Sequence, residues 1–402
     1  MRTHLLATTA VMALLSASTV STRAQTNWTG TTSNDWFTAT NWTGGVPTLG
    51  TSAILSQVPV NPTVIGTPGA VAQSLVLGQP FGLGDLTITN GGTLLTATGA
   101  VIGNLTRGDV TVTGPGSVWT NVNGGIQVGG GSIGTLTVAD GGLVNDTPSG
   151  TSVGGRITVG GGGGLFSGAL IGNGTVSSTL TQINAGGFLV PGQGIVPGQG
   201  GTPDAMRFIG NLAFQSGAFY IVQVNPTTAS TSNVLGTASL AGTAVANFAT
   251  GSYTSRLYPI LTAAGGVTGT FDRLLPVGLP TDFRAGLFYT NNTVLLGIRA
   301  QLVPEGPNPP IPPIPGGPIP GLPFPLPDQP AAPPLPTFTV NELNVGHAVD
   351  NFFNNGGALP PAFLSLFNLT GANLMPPWTS WTAKPRLARR RSDSSSPTSS
   401  ST

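Results

Sequence analysis

From Leu86 to Val159 the chain repeats one short phrase of apolar and polar positions: Leu86-Thr87-Ile88, Val110-Thr111-Val112, Leu136-Thr137-Val138 and Ile157-Thr158-Val159. Side chains alternate between the two faces of a strand, so each phrase predicts two buried aliphatics and an outward threonine. The phrases start 24, 26 and 21 residues apart, and Ile126-Gln127-Val128 falls between two of them. Most run into Asn90-Gly91-Gly92, Asp140-Gly141-Gly142 or Gly160-Gly161. These residues tolerate positive φ, so each phrase ends where the chain must turn a corner. A strand plus a corner at a period in the twenties predicts a β-solenoid, in which every coil stacks on the one before. An antiparallel sandwich of evenly spaced strands is the alternative, and it would place hairpin signals between the strands.

Between Leu212 and Leu302 the apolar runs grow denser, as in Ala218-Phe219-Tyr220-Ile221-Val222-Gln223-Val224 and Arg256-Leu257-Tyr258-Pro259-Ile260-Leu261. Such a segment suits the sealed end of a solenoid. From Val303 to Pro336 proline dominates, which fixes φ and removes backbone donors, so the expectation is a semi-rigid polyproline linker. Phe338 to Phe353 predicts a short helix, with Val340, Leu343, His347 and Phe352 approximating one face. Ala358 to Leu374 is a second apolar segment of less regular pattern. The fold class expected is all-β, a parallel β-helix followed by a Pro-rich linker and a short helical segment.

Composition fits short strands joined by glycine corners: Gly 61, Pro 36 and only 7% charged residues. The net charge of +1 gives no basic stripe for a nucleic acid. With no cysteine, the fold must be held by its own core. At the N-terminus Arg2 and His4 precede a largely apolar run from Leu5 to Leu15, then small residues up to Ala24. These are the three regions of a signal peptide over residues 1–24, which implies export through the Sec machinery.

Three of the six tryptophans, Trp28, Trp36 and Trp42, fall early in the segment 25–80, where the first coil needs a cap over its open edge and uncovered core. An aromatic platform for carbohydrate is the competing reading. The opening Trp28-Thr29-Gly30, Asp35-Trp36, Asn41-Trp42 and Val46-Pro47 resembles bacterial autotransporter passengers, as do Gly108 to Gly114 with Ser117-Val118-Trp119, and Gly134 to Val138 with Gly141-Gly142. Over 171–302 the chain is similar to the passenger-associated repeat. That likeness runs through Gly172 to Val176, Ala185-Gly186-Gly187, Pro191-Gly192, Gly210-Asn211-Leu212, Gly217 to Tyr220, Tyr258 to Ala263 and Val294-Leu295-Leu296. The resemblance implies a right-handed parallel β-helix over 81–302, of pertactin-like form. It further implies carriage to the cell surface through type V secretion, with 171–302 as the stable core from which the passenger folds.

In that family the segment 337–375 leads into an outer-membrane β-barrel. Here Pro377 to Arg389 depart from the family's continuation, which codons compatible with this stretch would encode in a shifted frame. The expectation is therefore a frameshift near Met375, an out-of-frame tail over 376–402 that carries Arg386, Arg389, Arg390 and Arg391, and no translocator barrel. On that expectation the outer membrane is reached only through a barrel absent from this chain, and export stops in the periplasm. A basic patch for anionic partners is the alternative for the arginines.

Candidate chemistry is sparse. Once residues 1–24 are removed, His347 is the one histidine left, so no Ser-His-Asp triad can be assembled in the solenoid. His347 is expected to be half-buried packing. The solenoid lacks Glu, and Asp85, Asp109, Asp140, Asp146, Asp204, Asp272 and Asp282 mostly stand in turn contexts, which does not predict paired catalytic carboxylates. No cofactor or metal is expected, and Gly160 to Gly164 lacks the Lys-Ser/Thr of a phosphate cradle. Arg107-Gly108-Asp109 matches an integrin-type adhesion tripeptide set just before a strand, and it is also an ordinary turn sequence. The function expected is non-catalytic surface display or adhesion toward a host-surface or matrix receptor or glycan. A carbohydrate-active β-helix enzyme, lyase or hydrolase, is the alternative.

Overall fold

The structure is a computed structural model that describes residues 24–56, 61–80, 82–146, 155–162, 167–193, 202–280, 282–301 and 340–355. The segment before residue 24 that is expected to be a signal peptide, the Pro-rich segment 303–336, the second apolar segment 358–374 and the tail 376–402 lie outside the described residues. The described chain is a parallel β-solenoid of about nine turns, with one short helix beyond it.

Each coil presents a strand to three ladders. The first ladder stacks Thr63–Ile65, Gly84–Ile88, Gly108–Thr113, Gly134–Ala139, Gly168–Gly172, Gly187–Pro191, Phe219–Val224, Thr243–Phe248 and Arg273–Val277, every pair parallel. The second begins at Ala24–Asn27 and Thr51–Leu55 and continues through Leu75–Leu77, Ala100–Ile102, Ile126–Val128 and Arg156–Val159. The third runs through Ala70–Ala72, Thr93–Thr96, Val118–Asn121 and Leu143–Asp146. Two long strands, Thr175–Ile183 and Ala205–Phe214, serve the third ladder with their first halves and the second ladder with their last. Between the halves Ser178 and Thr179 stand opposite Gly210 alone, a β-bulge that bends the pair around the corner.

Register places like on like. Leu86, Val110, Leu136, Leu170, Leu189 and Tyr220 follow one another inward along the first ladder, and all are buried. The expected inward aliphatics and outward threonines hold for each phrase. One assignment needs correction. Ile157-Thr158-Val159 does not continue the column of Leu136-Thr137-Val138; it stacks on Ile126-Gln127-Val128 in the second ladder, and Leu170 occupies the place above Leu136. An aliphatic-polar-aliphatic triplet satisfies any face of the coil, so the triplet alone does not say which face it joins.

Both ends are closed. At the first coil Trp28, Trp36 and Trp42 are 2%, 0% and 4% exposed and meet edge to face, with ring centroids 5.1 and 4.7 Å apart. Trp42 Nε1 donates to the Trp36 carbonyl at 2.8 Å and Trp28 Nε1 to the Asn61 carbonyl at 3.0 Å. These rings are a plug, with no face open for a sugar. At the other end the parallel rule stops: Thr293–Ala300 pairs antiparallel with both Arg256–Ala263 and Phe283–Tyr289. Here Phe214, Tyr220 and Phe271 pack with ring centroids 5.3 to 5.6 Å apart, Tyr220 stacked on Phe271 and Phe214 edge-on to both, the larger core that the dense apolar runs predicted.

Helix α1 spans Val340–Asn354 and packs on the last strand, Thr293–Ala300. Its docking face differs from the expected one. His347 is exposed and Phe352 is 53% exposed, whereas Phe353 enters the solenoid core with Val345 and Val349 packed against it. Asn354 and Asp350, one turn apart, share this face. Apolar residues occur on more than one side of this helix, and the Asn354 side chain, which pairs with the Ala300 backbone, lies on the docked side.

Two substitutions test the architecture. A Cβ on Gly210, whose φ is +116, would lie 1.7 Å from the Ser178 carbonyl oxygen. Gly210→Ala is therefore expected to cost at least about 1–3 kcal/mol in a denaturant titration, while Gly66→Ala, facing open space, stays near neutral. Trp36→Ala is expected to cost about 3–5 kcal/mol, with hydrogen exchange accelerating first in the coils nearest the plug.

Candidate functional surface

The adhesion-type tripeptide lies where one coil enters the first ladder. Gly108 opens the strand Gly108–Thr113 and is buried, and a Cβ there would meet the Gly103 amide nitrogen at 2.6 Å, so only glycine fits this approach. Arg107 and Asp109 then project to the outside, where Arg107 Nε donates to Asp109 Oδ2 at 2.7 Å. The cation and the carboxylate of Arg107-Gly108-Asp109 thus neutralise each other, and a partner must open that pair to use either. Pairing of this kind at a solvated surface is weak, about 0–1 kcal/mol, so opening it is not prohibitive.

Register sets a second acid beside the pair. Asp85 lies directly across the ladder from Asp109. Partial burial and the negative charge of Asp109 push the Asp85 carboxyl above its usual range, with Arg107 opposing. Outward along the same sheet stand Thr87, Thr111 and Thr137, in line from coil to coil. This flank is low in charge and regular, and Asp85, Arg107 and Asp109 form its charged corner.

Asp140 and Asp204 stand at coil corners, as expected for turn residues. Asp140 adopts φ +52, and its backbone N–H donates to Asn173 Oδ1 at 2.8 Å. Asn173 Nδ2 in turn donates to Asp204 Oδ2 at 2.7 Å. Asp146 does not match its expected turn setting. It points inward at the end of Leu143–Asp146 in a polar file with Thr96 and Asn121, all three buried. Thr96 Oγ1 donates to Asn121 Oδ1 at 2.8 Å, and Asn121 Nδ2 to Asp146 Oδ1 at 2.7 Å. Burial raises the Asp146 carboxyl above its ordinary value, while Asn121 and the Arg156 backbone amide counter the rise. The alternation of Leu143-Val144-Asn145-Asp146 in step with Val118-Trp119-Thr120-Asn121 is the sequence signal that placed it inside.

Among the described residues no group of three or more His, Cys, Asp or Glu side chains is arranged to hold a metal ion. His347 is exposed on α1 rather than half-buried. No described helix is long and apolar enough to cross a membrane. No protein-family model matches the chain, and no curated protein matches it.

Asp85 offers a pH test. A carboxyl raised in the folded chain binds its proton more tightly there than when unfolded, so stability falls as pH climbs from the unfolded value through the folded one. Asp85→Asn cannot ionise and is expected to raise the thermal midpoint near neutral pH only slightly, because Asp85 is exposed and water screens its charge. At about pH 2, where both states are protonated, the midpoints of variant and parent should coincide.

Proposed function

We propose that this chain is a non-catalytic autotransporter passenger, exported through the Sec machinery by residues 1–24 and of the kind that type V secretion displays at the cell surface. Its long flank is the part proposed to meet a host-surface or matrix receptor or a glycan. The observation that carries this reading is the order of parts along one rod. A tryptophan plug is followed by about nine coils in parallel register, then an antiparallel cap, then a helix docked on that cap. The motifs that resemble the family follow the same order in the sequence.

A rod of this kind suits contact. Its surface repeats from coil to coil, so a partner with repeated chemistry gains several weak contacts at once. Arg107 and Asp109 are the residues proposed to take part in adhesion, since they are the exposed cation and the half-buried carboxylate beside the threonine-lined face.

The test is binding of the purified full chain to immobilised matrix proteins, mucins and glycans, with product analysis of the same mixtures. Retention without turnover is expected, together with recovery of the chain from the cell envelope on fractionation. Cleavage of a polysaccharide, by elimination or hydrolysis, would replace this reading with the carbohydrate-active enzyme. Arg107→Ala with Asp109→Ala is expected to lower retention by several-fold while leaving the thermal midpoint within a few degrees, as befits a surface pair.

A further inference from the structure

The junction between α1 and the solenoid holds a pair of acids that the proposed function does not use. Asn354 side-chain Nδ2 donates to the Ala300 carbonyl at 2.9 Å, and its Oδ1 accepts from the Ala300 N–H at 2.9 Å. A side-chain amide here completes the backbone pairing of the last strand, and Ser255 Oγ donates to the same Oδ1. Ala300 pairs on its other side with Phe283, and Gln301 N donates to the Asp282 carbonyl at 2.7 Å. The helix is therefore anchored beside Asp282. Asp350 lies one helical turn before Asn354 on the docking face. Asp282 and Asp350 are 5% and 8% exposed, so docking buries two carboxyls at one interface.

We propose that Asp282, buried at the same interface as Asp350, makes the docking of α1 a proton-controlled latch, closed when the Asp282 carboxyl is protonated and loosened when it ionises.

Two carboxylates close together in a buried site repel, and neither gains the hydration that would stabilise its charge. Asp282 Oδ2 accepts no hydrogen bond. Burial first, and the charge of Asp350 second, push the Asp282 carboxyl up to about 7. The cations on the adjoining strands do not relieve it. Arg284 Nε is held by Gln301 Oε1 at 2.7 Å, and Arg299 lies 5.8 Å over the Phe288 ring. His347, about one turn before Asp350 on α1, is exposed. The docked state thus binds more protons than the undocked one between the ordinary carboxylate value and about 7. Docking is at full strength below that window, weakens across it, and is weakest above it.

Hydrogen exchange of the full chain, followed by mass spectrometry and corrected for intrinsic rates, reads the latch directly. In the parent, protection of amides 344–354 is expected to fall about tenfold or more from pH 5 to pH 8, while the central coils stay unchanged. Asp282→Asn keeps the shape without the charge and is expected to hold the helix protected at both pH values. Asp350→Asn removes the smaller, charge-based part of the effect and is expected to lessen the fall with pH without abolishing it, which keeps the test open if Asp282→Asn fails to fold. Asn354→Ala gives the reference for an undocked helix. Protection of α1 that is flat with pH in the parent, or that falls as steeply as in the parent in Asp282→Asn or Asp350→Asn, overturns the proposal.

Discussion

Parallel pairing between successive coils is the interaction on which the rest of the molecule depends. A parallel ladder leaves no hairpin to fix its register, so register must come from side chains, and a slip of one residue would turn every buried aliphatic outward. The chain meets this by repeating the same choice at the same position. Val110 sits over Leu86 and Leu136 over Val110, while Thr111 and Thr137 follow Thr87 on the outside. The corners obey the same constraint. A Cβ on Gly129 would lie 1.9 Å from the Ser167 carbonyl, and one on Gly172 would lie 2.0 Å from that of Val138. Glycine in this chain lets one coil's backbone approach the next, and flexibility is not its role at these positions.

A column of coils built this way has two ends, and they need opposite solutions. The first coil is covered by side chains alone, three indoles packed edge to face. The last coils change pairing mode, since an antiparallel sheet can fold back over the edge that a further parallel strand would otherwise extend. Pro276 in the last strand of the first ladder removes a donor from that edge as well. The helix then adds Phe353 to the core and the Asn354 amide to the strand.

What the residue pattern made legible follows from how local each feature is. The inward aliphatics, the glycine corners, the tryptophan plug and the existence of a helix near 338–353 are written in residues close in sequence. The face to which a triplet belongs is not, because Ile157-Thr158-Val159 and Leu136-Thr137-Val138 have the same alternation, and only the strand below distinguishes them. The antiparallel closure at 256–300 was hidden for a similar reason: its strands alternate as those of the coils do, and their direction depends on the turn at Thr290 to Thr293. Asp146 read as a turn residue because Asn and Asp favour turns, yet its alternation put it indoors. The Asp282 and Asp350 pair had no signal at all, since its members are brought together by a docked helix on the far side of a proline-rich segment.

These two buried acids show how the same residue type acts differently in the two parts of the rod. Asp146 sits within the column, where Asn121 supplies a donor and the neighbouring coils hold both in place. Its charge is opposed by burial but answered by a fixed amide, so its protonation changes a local file without freeing any element. Asp282 sits where the repeat has ended, against a helix whose attachment includes the Asn354 amide and the buried Phe353 ring. There the opposing group is another carboxyl, carried by a helix that docks from outside the coils. A polar group inside the coils is constrained by neighbours on both sides. At the terminus it is constrained on one side only, and it is there that a single proton can alter the arrangement of a whole element.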